Sequence, residues 1–242
     1  MLSIRYILPE FREYLTNTTD GSSSTDIVCE VGCGYGCTLF PLLTELSSST
    51  TLFLATDYSS HALDILATHT EYNSDRIHLQ KWDVTEPFID NTYHYKCSVV
   101  LSVFALSAVH PDKHLQCIVN IHTMLKPGGH LLFRDYGLYD MTMSRHKHRY
   151  GETLFMRQDG TLCYYFSVEV IRQLAEQSGL FTVVECEYAC VGTANRKTGT
   201  VMRRVFVHAV LRALPVPFAT EACSSNSEAV GVDCDDEAES LS

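Results

Sequence analysis

The sequence predicts an α/β domain built on a largely parallel sheet, and three observations predict it. From Asp26 onward, short apolar runs of strand length alternate with segments of helical periodicity, the pattern of successive βαβ units. The first run, Ile27 to Val31, passes through Gly32-Cys33-Gly34-Tyr35-Gly36 into Thr38-Leu39-Phe40-Pro41-Leu42-Leu43, so a buried strand, a glycine turn and a helix follow in order. Val99 to Leu106 is an apolar run broken only by Ser102, as a strand covered on both faces is expected to be.

Taken in order, Arg5 to Leu15 reads as an amphipathic helix whose middle Pro9 disturbs, and Thr16 to Thr25 as a polar link. The first strand is Ile27 to Val31, and the helix after the glycines ends near Leu46. Thr51 to Thr56 is the second strand, closed by Asp57-Tyr58, and Ser59 and Ser60 offer caps for a helix over His61 to His69. Arg76 to Lys81 is the third strand, ending at Trp82-Asp83, and Val99 to Leu106 is the fourth. A helix over His114 to Leu125 is expected to stop at Lys126-Pro127-Gly128-Gly129, with His130 to Arg134 as the fifth strand. Ser167 to Ser178 reads as a helix, Phe181 to Cys186 as a sixth strand and Arg203 to Leu211 as a seventh. The expected division is an N-terminal helix and linker over 1–25, a domain over 26–214 and an acidic disordered tail over 215–242.

At 242 residues and 45% hydrophobic composition the chain has material for one real core. No run of about 18 apolar residues and no long apolar leader is present, so an intracellular, cytoplasmic location is expected, with the nucleus left open. The ten cysteines include no C-x-x-C pair and are read as reduced, packed thiols rather than metal ligands. The net charge of −11 argues at first against nucleic acid, but seven acids without a Lys or Arg from Glu221 onward account for −7 of it. Two basic patches stand out on the body: Arg145-His146-Lys147-His148-Arg149, and the acid-free stretch from Tyr188 to Thr220 with Arg196, Lys197, Arg203, Arg204 and Arg212.

Glycines without Cβ atoms beside a helix start suit a nucleotide cofactor. The spacing G-x-G-x-G, preceded by Glu30, differs from the G-x-G-x-x-G of dinucleotide enzymes and suits S-adenosylmethionine, whose α-amino group can meet an acid. Asp57 is placed for both ribose hydroxyls, and Asp83 either accepts from the adenine amino group or closes a turn. Just beyond the strand ends lie Arg134-Asp135-Tyr136-Gly137 and Phe155-Met156-Arg157-Gln158-Asp159-Gly160-Thr161. Asp135 can serve chemistry or a cap, and Arg157 to Asp159 can serve chemistry or form a hairpin tip. Tyr164-Tyr165-Phe166 reads as strand packing more than base stacking, and His110 before Pro111 as structural more than as a general base.

Several of these segments together resemble the methyltransferase-like family of tRNA N3-methylcytidine methyltransferases. They are Glu30 to Gly34 with Phe40-Pro41-Leu42-Leu43, Leu106-Ser107-Ala108-Val109-His110-Pro111, Leu125 to Gly129, Phe133-Arg134-Asp135-Tyr136-Gly137-Leu138-Tyr139-Asp140, and Arg157-Gln158-Asp159-Gly160-Thr161 followed by Tyr165-Phe166. The match runs over about residues 5–212, and Gln158 is most similar to the branch acting on serine tRNAs. The resemblance implies a Rossmann-like seven-stranded S-adenosylmethionine-dependent methyltransferase fold with the last strand antiparallel, and methylation of cytidine 32 in the anticodon loop. It implies cofactor contacts at Gly32, Asp57, Asp83 and Val103, to which Glu30, Gly34, Tyr58 and Val84 are added. Arg134, Asp135, Tyr136, Arg157 and Asp159 are the catalytic candidates, and the partners are tRNA and an aminoacyl-tRNA synthetase. Family members carry a longer aromatic and basic N-terminal region, of which Arg5 to Leu15 is the part recognised here. The rival readings are a binding protein without turnover, a small-molecule methyltransferase and, disfavoured by glycine spacing and Asp83, an NAD oxidoreductase.

Overall fold

The computed structural model describes residues 7–16, 26–46, 50–194 and 201–215. The link expected over Thr16 to Thr25, Arg196, Lys197 and the acidic tail beyond residue 215 lie outside these residues, apart from Thr16 at a helix end. The helices are α1 (Ile7–Thr16), α2 (Leu39–Glu45), α3 (Ser60–Ala67), α4 (His114–His122) and α5 (Val168–Ser178). The strands are β1 (Ile27–Val31), β2 (Leu52–Asp57), β3 (Ile77–Lys81), β4 (Cys97–Val103), β5 (Leu125–Tyr136), β6 (His148–Arg149), β7 (Leu154–Met156), β8 (Leu162–Tyr164), β9 (Phe181–Ala194) and β10 (Val201–Ala213).

Seven strands form one sheet in the order β3-β2-β1-β4-β5-β10-β9. β1 to β5 are parallel, whereas β10, the last strand, runs antiparallel to both β5 and β9. The sheet is covered on both faces: side chains of α1, α2 and α3 form one apolar layer and those of α4 and α5 the other. Alternation along β1 sends Val28 to the first layer and Cys29 to the second. All seven residues of β4 are buried, as a strand central to both layers requires.

Local chemistry sets the element ends. Ser59 caps α3, accepting from the Ala62 amide at 3.2 Å, and Ser167 caps α5, accepting from Val170 at 3.2 Å. Gly179 ends α5 in the left-handed region at φ 64°. Pro9 lies in the first turn of α1, where its missing N–H costs nothing, so it does not disturb the helix middle. α1 lies against the sheet: Phe11 is fully buried and stacks on His208 with ring centroids 4.7 Å apart, and the Tyr14 hydroxyl donates to Glu185 at 2.5 Å.

Several boundaries differ from the sequence reading: the sixth strand runs to Ala194 instead of ending at Cys186, and the helix from His114 ends at His122 instead of Leu125. The fourth strand stops at Val103, because Phe104 adopts φ 55°, and Leu106–Ala108 is a 3₁₀ turn. Lys126-Pro127-Gly128-Gly129 does not follow the helix as a stop; it belongs to β5, where the register against β4 jumps from Cys97–Leu125 to Val99–His130. A Cβ on Gly129 would meet the Ser98 carbonyl at 2.9 Å, so glycine lets the strands approach at this bulge. Finally, β6, β7 and β8 make a second small sheet, and the turn joining β7 to β8 holds Arg157 to Thr161.

Candidate functional site

The turn after β1 is built by three left-handed glycines, Gly32 at φ 70°, Gly34 at 52° and Gly36 at 78°. A Cβ on Gly32 would lie 2.6 Å from the Ala105 Cβ, and one on Gly36 only 2.4 Å from the Phe40 ring. Gly34 differs: a Cβ there would meet nothing within 4 Å, so its open side borders unfilled space. Asp57 at the end of β2 braces this turn, one oxygen accepting from the Gly34 amide and the other from the Ser59 amide, both at 2.8 Å. The Cys33 amide donates to the Thr56 carbonyl at 3.0 Å.

Glu30 is 3% exposed, and burial pushes its carboxyl up to about 8, with Asp57 adding repulsion and Thr38 opposing through a hydrogen bond. Its Oε2 is buried without a hydrogen-bond partner. An orphaned buried acceptor beside an open glycine cradle fits a ligand that brings a cationic amino group, as S-adenosylmethionine does. Tyr58 is 69% exposed, whereas Val84 and Val103 are buried. Asp83 accepts from the Thr85 amide and hydroxyl at 3.0 and 2.8 Å, which is a turn-closing arrangement. The Val84 carbonyl accepts from Asn120 at 2.9 Å.

The five catalytic candidates separate. Asp135 is fully buried, accepting from the amides of Ser107 and Tyr136 at 2.8 Å each; burial pushes its carboxyl up to about 6 even though these donors and Arg157 oppose the rise. Tyr136 lies between cations, with the Arg157 and Arg204 guanidiniums 5.3 and 5.7 Å from its ring centroid. Arg157 also donates to the Cys163 sulfur at 3.6 Å. Arg134 is the strand neighbour of Asp135, so its side chain leaves on the other face, where it pairs with Glu10 of α1 and lies 4.9 Å from the Phe206 ring. Burial there draws the guanidinium down to about 10. Asp159 is at the exposed hairpin tip, its carboxyl lowered by hydrogen bonds from the Thr161 hydroxyl and amide at 2.7 and 3.0 Å. Thus Asp135, Tyr136 and Arg157 come together at the strand end; Arg134 shares the Phe206 ring with Tyr136 but turns to Glu10, and Asp159 stays at the exposed tip.

Two features escaped the sequence reading. Asp140 is buried and accepts from Arg204 Nε and the Val205 amide, both at 2.8 Å, and from Thr142, which meets the Tyr165 hydroxyl at 2.8 Å. His146 Nε2 shares that hydroxyl at 2.7 Å, so a polar chain runs from β10 to the small sheet. The only local signal was the Asp140-x-Thr142 spacing of an Asx turn; Arg204 is too remote in sequence to announce itself. The second is Phe104, whose left-handed backbone no propensity predicts.

Beside the small sheet is a cleft of about 480 Å³ lined by Arg145, Lys147, Arg157 and Gln158 among others, with His146 and His148. Exposed Tyr150 lies in the same sheet region, between β6 and β7. Tyr164, Tyr165 and Phe166 are buried, as packing residues. His110 is exposed, its ring nitrogen 3.4 Å from the Asp112 amide in a capping arrangement. Among the described residues no three His, Cys, Asp or Glu side chains gather as a metal site, and no helix is long and apolar enough to cross a membrane.

A family model described as a methyltransferase domain matches residues 29–131. The chain is 40% identical over 190 residues to the mouse (Mus musculus) tRNA N(3)-cytidine methyltransferase METTL6, a match covering 77% of this chain and 66% of the relative. It is 32% identical over 193 residues to the Saccharomyces cerevisiae tRNA(Thr) (cytosine(32)-N(3))-methyltransferase, covering 76% of this chain and 30% of that one. The chain therefore spans slightly under two thirds of the METTL6 relatives' length. A solved S-adenosylmethionine-dependent methyltransferase from Methanosarcina mazei superposes with a TM-score of 0.60 at 16% identity, covering 85% of this chain and 97% of that one. The fold is that of these methyltransferases.

Proposed function

We propose, from the premise that the chain belongs to the family of tRNA N(3)-cytidine methyltransferases, that it transfers a methyl group from S-adenosylmethionine to N3 of a cytidine in tRNA. The observation that carries this reading is the 40% identity over 77% of the chain. A match of that extent necessarily includes the middle of the chain, where Arg134 to Asp140 and Arg157 to Thr161 lie, and so reaches beyond the general methyltransferase domain at 29–131.

Glu30 would meet the cofactor's amino group, Gly34 would take its backbone closely, Asp57 would receive the ribose hydroxyls, and Asp83, with Tyr58, Val84 and Val103 alongside, would border the adenine. When bound, the cofactor supplies a sulfonium-activated methyl group. Cytosine N3 carries a free lone pair, so transfer needs orientation rather than a strong base. Asp135 would offset the positive charge that moves onto the base, and Arg157 beside Tyr136 would orient the nucleotide. The exposed, turn-bound position of Asp159 favours Asp135 of the two acids.

The likeness of Arg157-Gln158-Asp159-Gly160-Thr161 to the branch acting on serine tRNAs supports serine tRNA, and the position named for the yeast relative supports cytidine 32 as target. The test is incubation with S-adenosylmethionine and unmodified tRNA, followed by mass-spectrometric mapping of methylated nucleosides. 3-Methylcytidine in the anticodon loop is expected in serine tRNA. Its absence, or methylation of an oxygen acceptor instead, would overturn the reading.

A further inference from the structure

Phe104 carries a backbone conformation that a bulky L residue adopts only under constraint, with φ 55° immediately past the fully buried β4. The constraint is visible on both sides. Its amide donates to the Arg134 carbonyl at 2.8 Å, and the next residue, Ala105, sits so close to Gly32 that no Cβ fits between them. The strain therefore fixes an aromatic ring at the carboxyl end of β4, against the turn assigned to the cofactor, where open α/β sheets receive their ligands.

The ring packs against the first apolar layer but is only partly covered by it. Phe104 and Tyr136 are both only partly buried, although Val103 and Asp135 beside them in sequence are buried. The two rings lie 5.0 Å apart at 37°, and Phe206 meets Phe104 edge-on at 5.4 Å and 68°. Tyr136 and Phe206 each carry guanidiniums near their faces. Among the described residues no guanidinium lies over Phe104. Its face can meet a ring that turns cationic on methylation without facing a second positive charge.

We propose that Phe104, braced on one side by the Tyr136 ring at 5.0 Å, is with its free face one wall of a slot for the target base, making Phe104 a base-stacking residue that selects a flat, unstacked pyrimidine. This rests on the proposed reaction for the identity of the base, though not for the slot itself. Sequence-tolerant stacking on aromatic side chains is a general mode of single-stranded nucleic-acid binding, and the fixed backbone lowers the ordering cost of presenting the ring.

The test uses an anticodon stem-loop RNA with pyrrolocytidine, a fluorescent cytidine analogue, in the loop, bound to the full chain with S-adenosylhomocysteine. Stacking is expected to quench the fluorophore. Phe104→Leu should abolish the quench and slow single-turnover methylation of the unmodified stem-loop by about 5- to 100-fold. S-adenosylhomocysteine affinity and melting temperature should hold, and Phe104→Tyr should restore both signals. The slot is overturned if Phe104→Leu quenches and methylates like the parent. It is equally overturned if Phe104→Leu and Phe104→Tyr both lose cofactor affinity and melting temperature together with the signal, since the ring would then be structural. A parent protein that quenches but never methylates overturns the proposed reaction and leaves the slot standing.

Discussion

The carboxylate of Asp135 accepts from the backbone amide of Ser107 at 2.8 Å, tying the end of β5 to the loop that follows β4. The acid is fully buried, so this tie is pH-sensitive. Its carboxyl is moved from the ordinary 3.8 up to about 6, which means the folded protein holds the proton over a range in which the unfolded chain has released it. Stability from this group is present at low pH and is lost as pH rises from about 4 to about 6, an effect of about 3 kcal/mol. Asp135→Asn should flatten that part of the profile, read as denaturation midpoints at pH 4 and 6.5. An unchanged slope would remove Asp135 as the cause.

Glu30 titrates against the ligand. With its carboxyl pushed up to about 8, the free protein holds Glu30 neutral at pH 7, and a cationic amino group is received best by the ionised form. S-adenosylmethionine affinity should rise from pH 6 to pH 7, by at most about tenfold, below the range in which the cofactor's own α-amino group loses its proton. In Glu30→Gln calorimetry should find weaker binding that no longer varies over this range.

The glycines of the turn should respond differently to alanine. Gly34→Ala has room for its Cβ, so only the left-handed backbone is strained, at about 1–2 kcal/mol. The fold should survive and cofactor affinity should fall by at least about tenfold as the methyl group enters the cradle. Gly36→Ala would drive a Cβ into the Phe40 ring, and its main signature should be a lowered melting temperature.

Two acids of the family-like segments should differ in their effect on stability. Asp140→Ala strands the buried Arg204 guanidinium and should cost about 3–5 kcal/mol. Asp159→Asn, at an exposed hairpin tip, should leave the melting temperature where it is. Thermal unfolding of the two variants settles the comparison.

RNA binding through the basic cleft should depend on salt. Replacing Arg145 and Lys147 together by alanine should weaken binding across tRNA sequences and reduce the slope of log affinity against log salt by about 1.5. Equal slopes for variant and parent would place the phosphates elsewhere.

The parallel core was legible because its strands are short and mainly apolar, β4 with only Ser98 and Ser102 among its seven residues, and the helices have periodic apolar faces, as at Ile171 in α5. The glycine turn was legible because its φ values admit little else. Arg134 and Asp135 were read as one site since they adjoin in sequence, but strand alternation sends them to opposite faces, a separation that follows only once β5 is known to run through Tyr136. Pro127-Gly128-Gly129 read as punctuation because a bulge and a helix stop use the same residues. The small sheet was missed for length: strands of two and three residues carry no periodicity. Likewise the Asp140–Arg204 pair joins residues 64 positions apart, which local pattern cannot reveal.

The position of β10 has a consequence for synthesis on the ribosome. β5 is complete well before β10 is made and β9 just before it, yet in the sheet they never touch, because β10 separates them. Until Val201–Ala213 emerges, the 12-residue β5 has an unpaired edge and β9 has no place in the sheet. A nascent chain can assemble β1 to β5 with the glycine turn and still present an open edge of the kind that recruits other strands. The ligand-facing half of the molecule is therefore ready first, and the edge of β5 is covered only when β10 arrives and passes the outer position to β9.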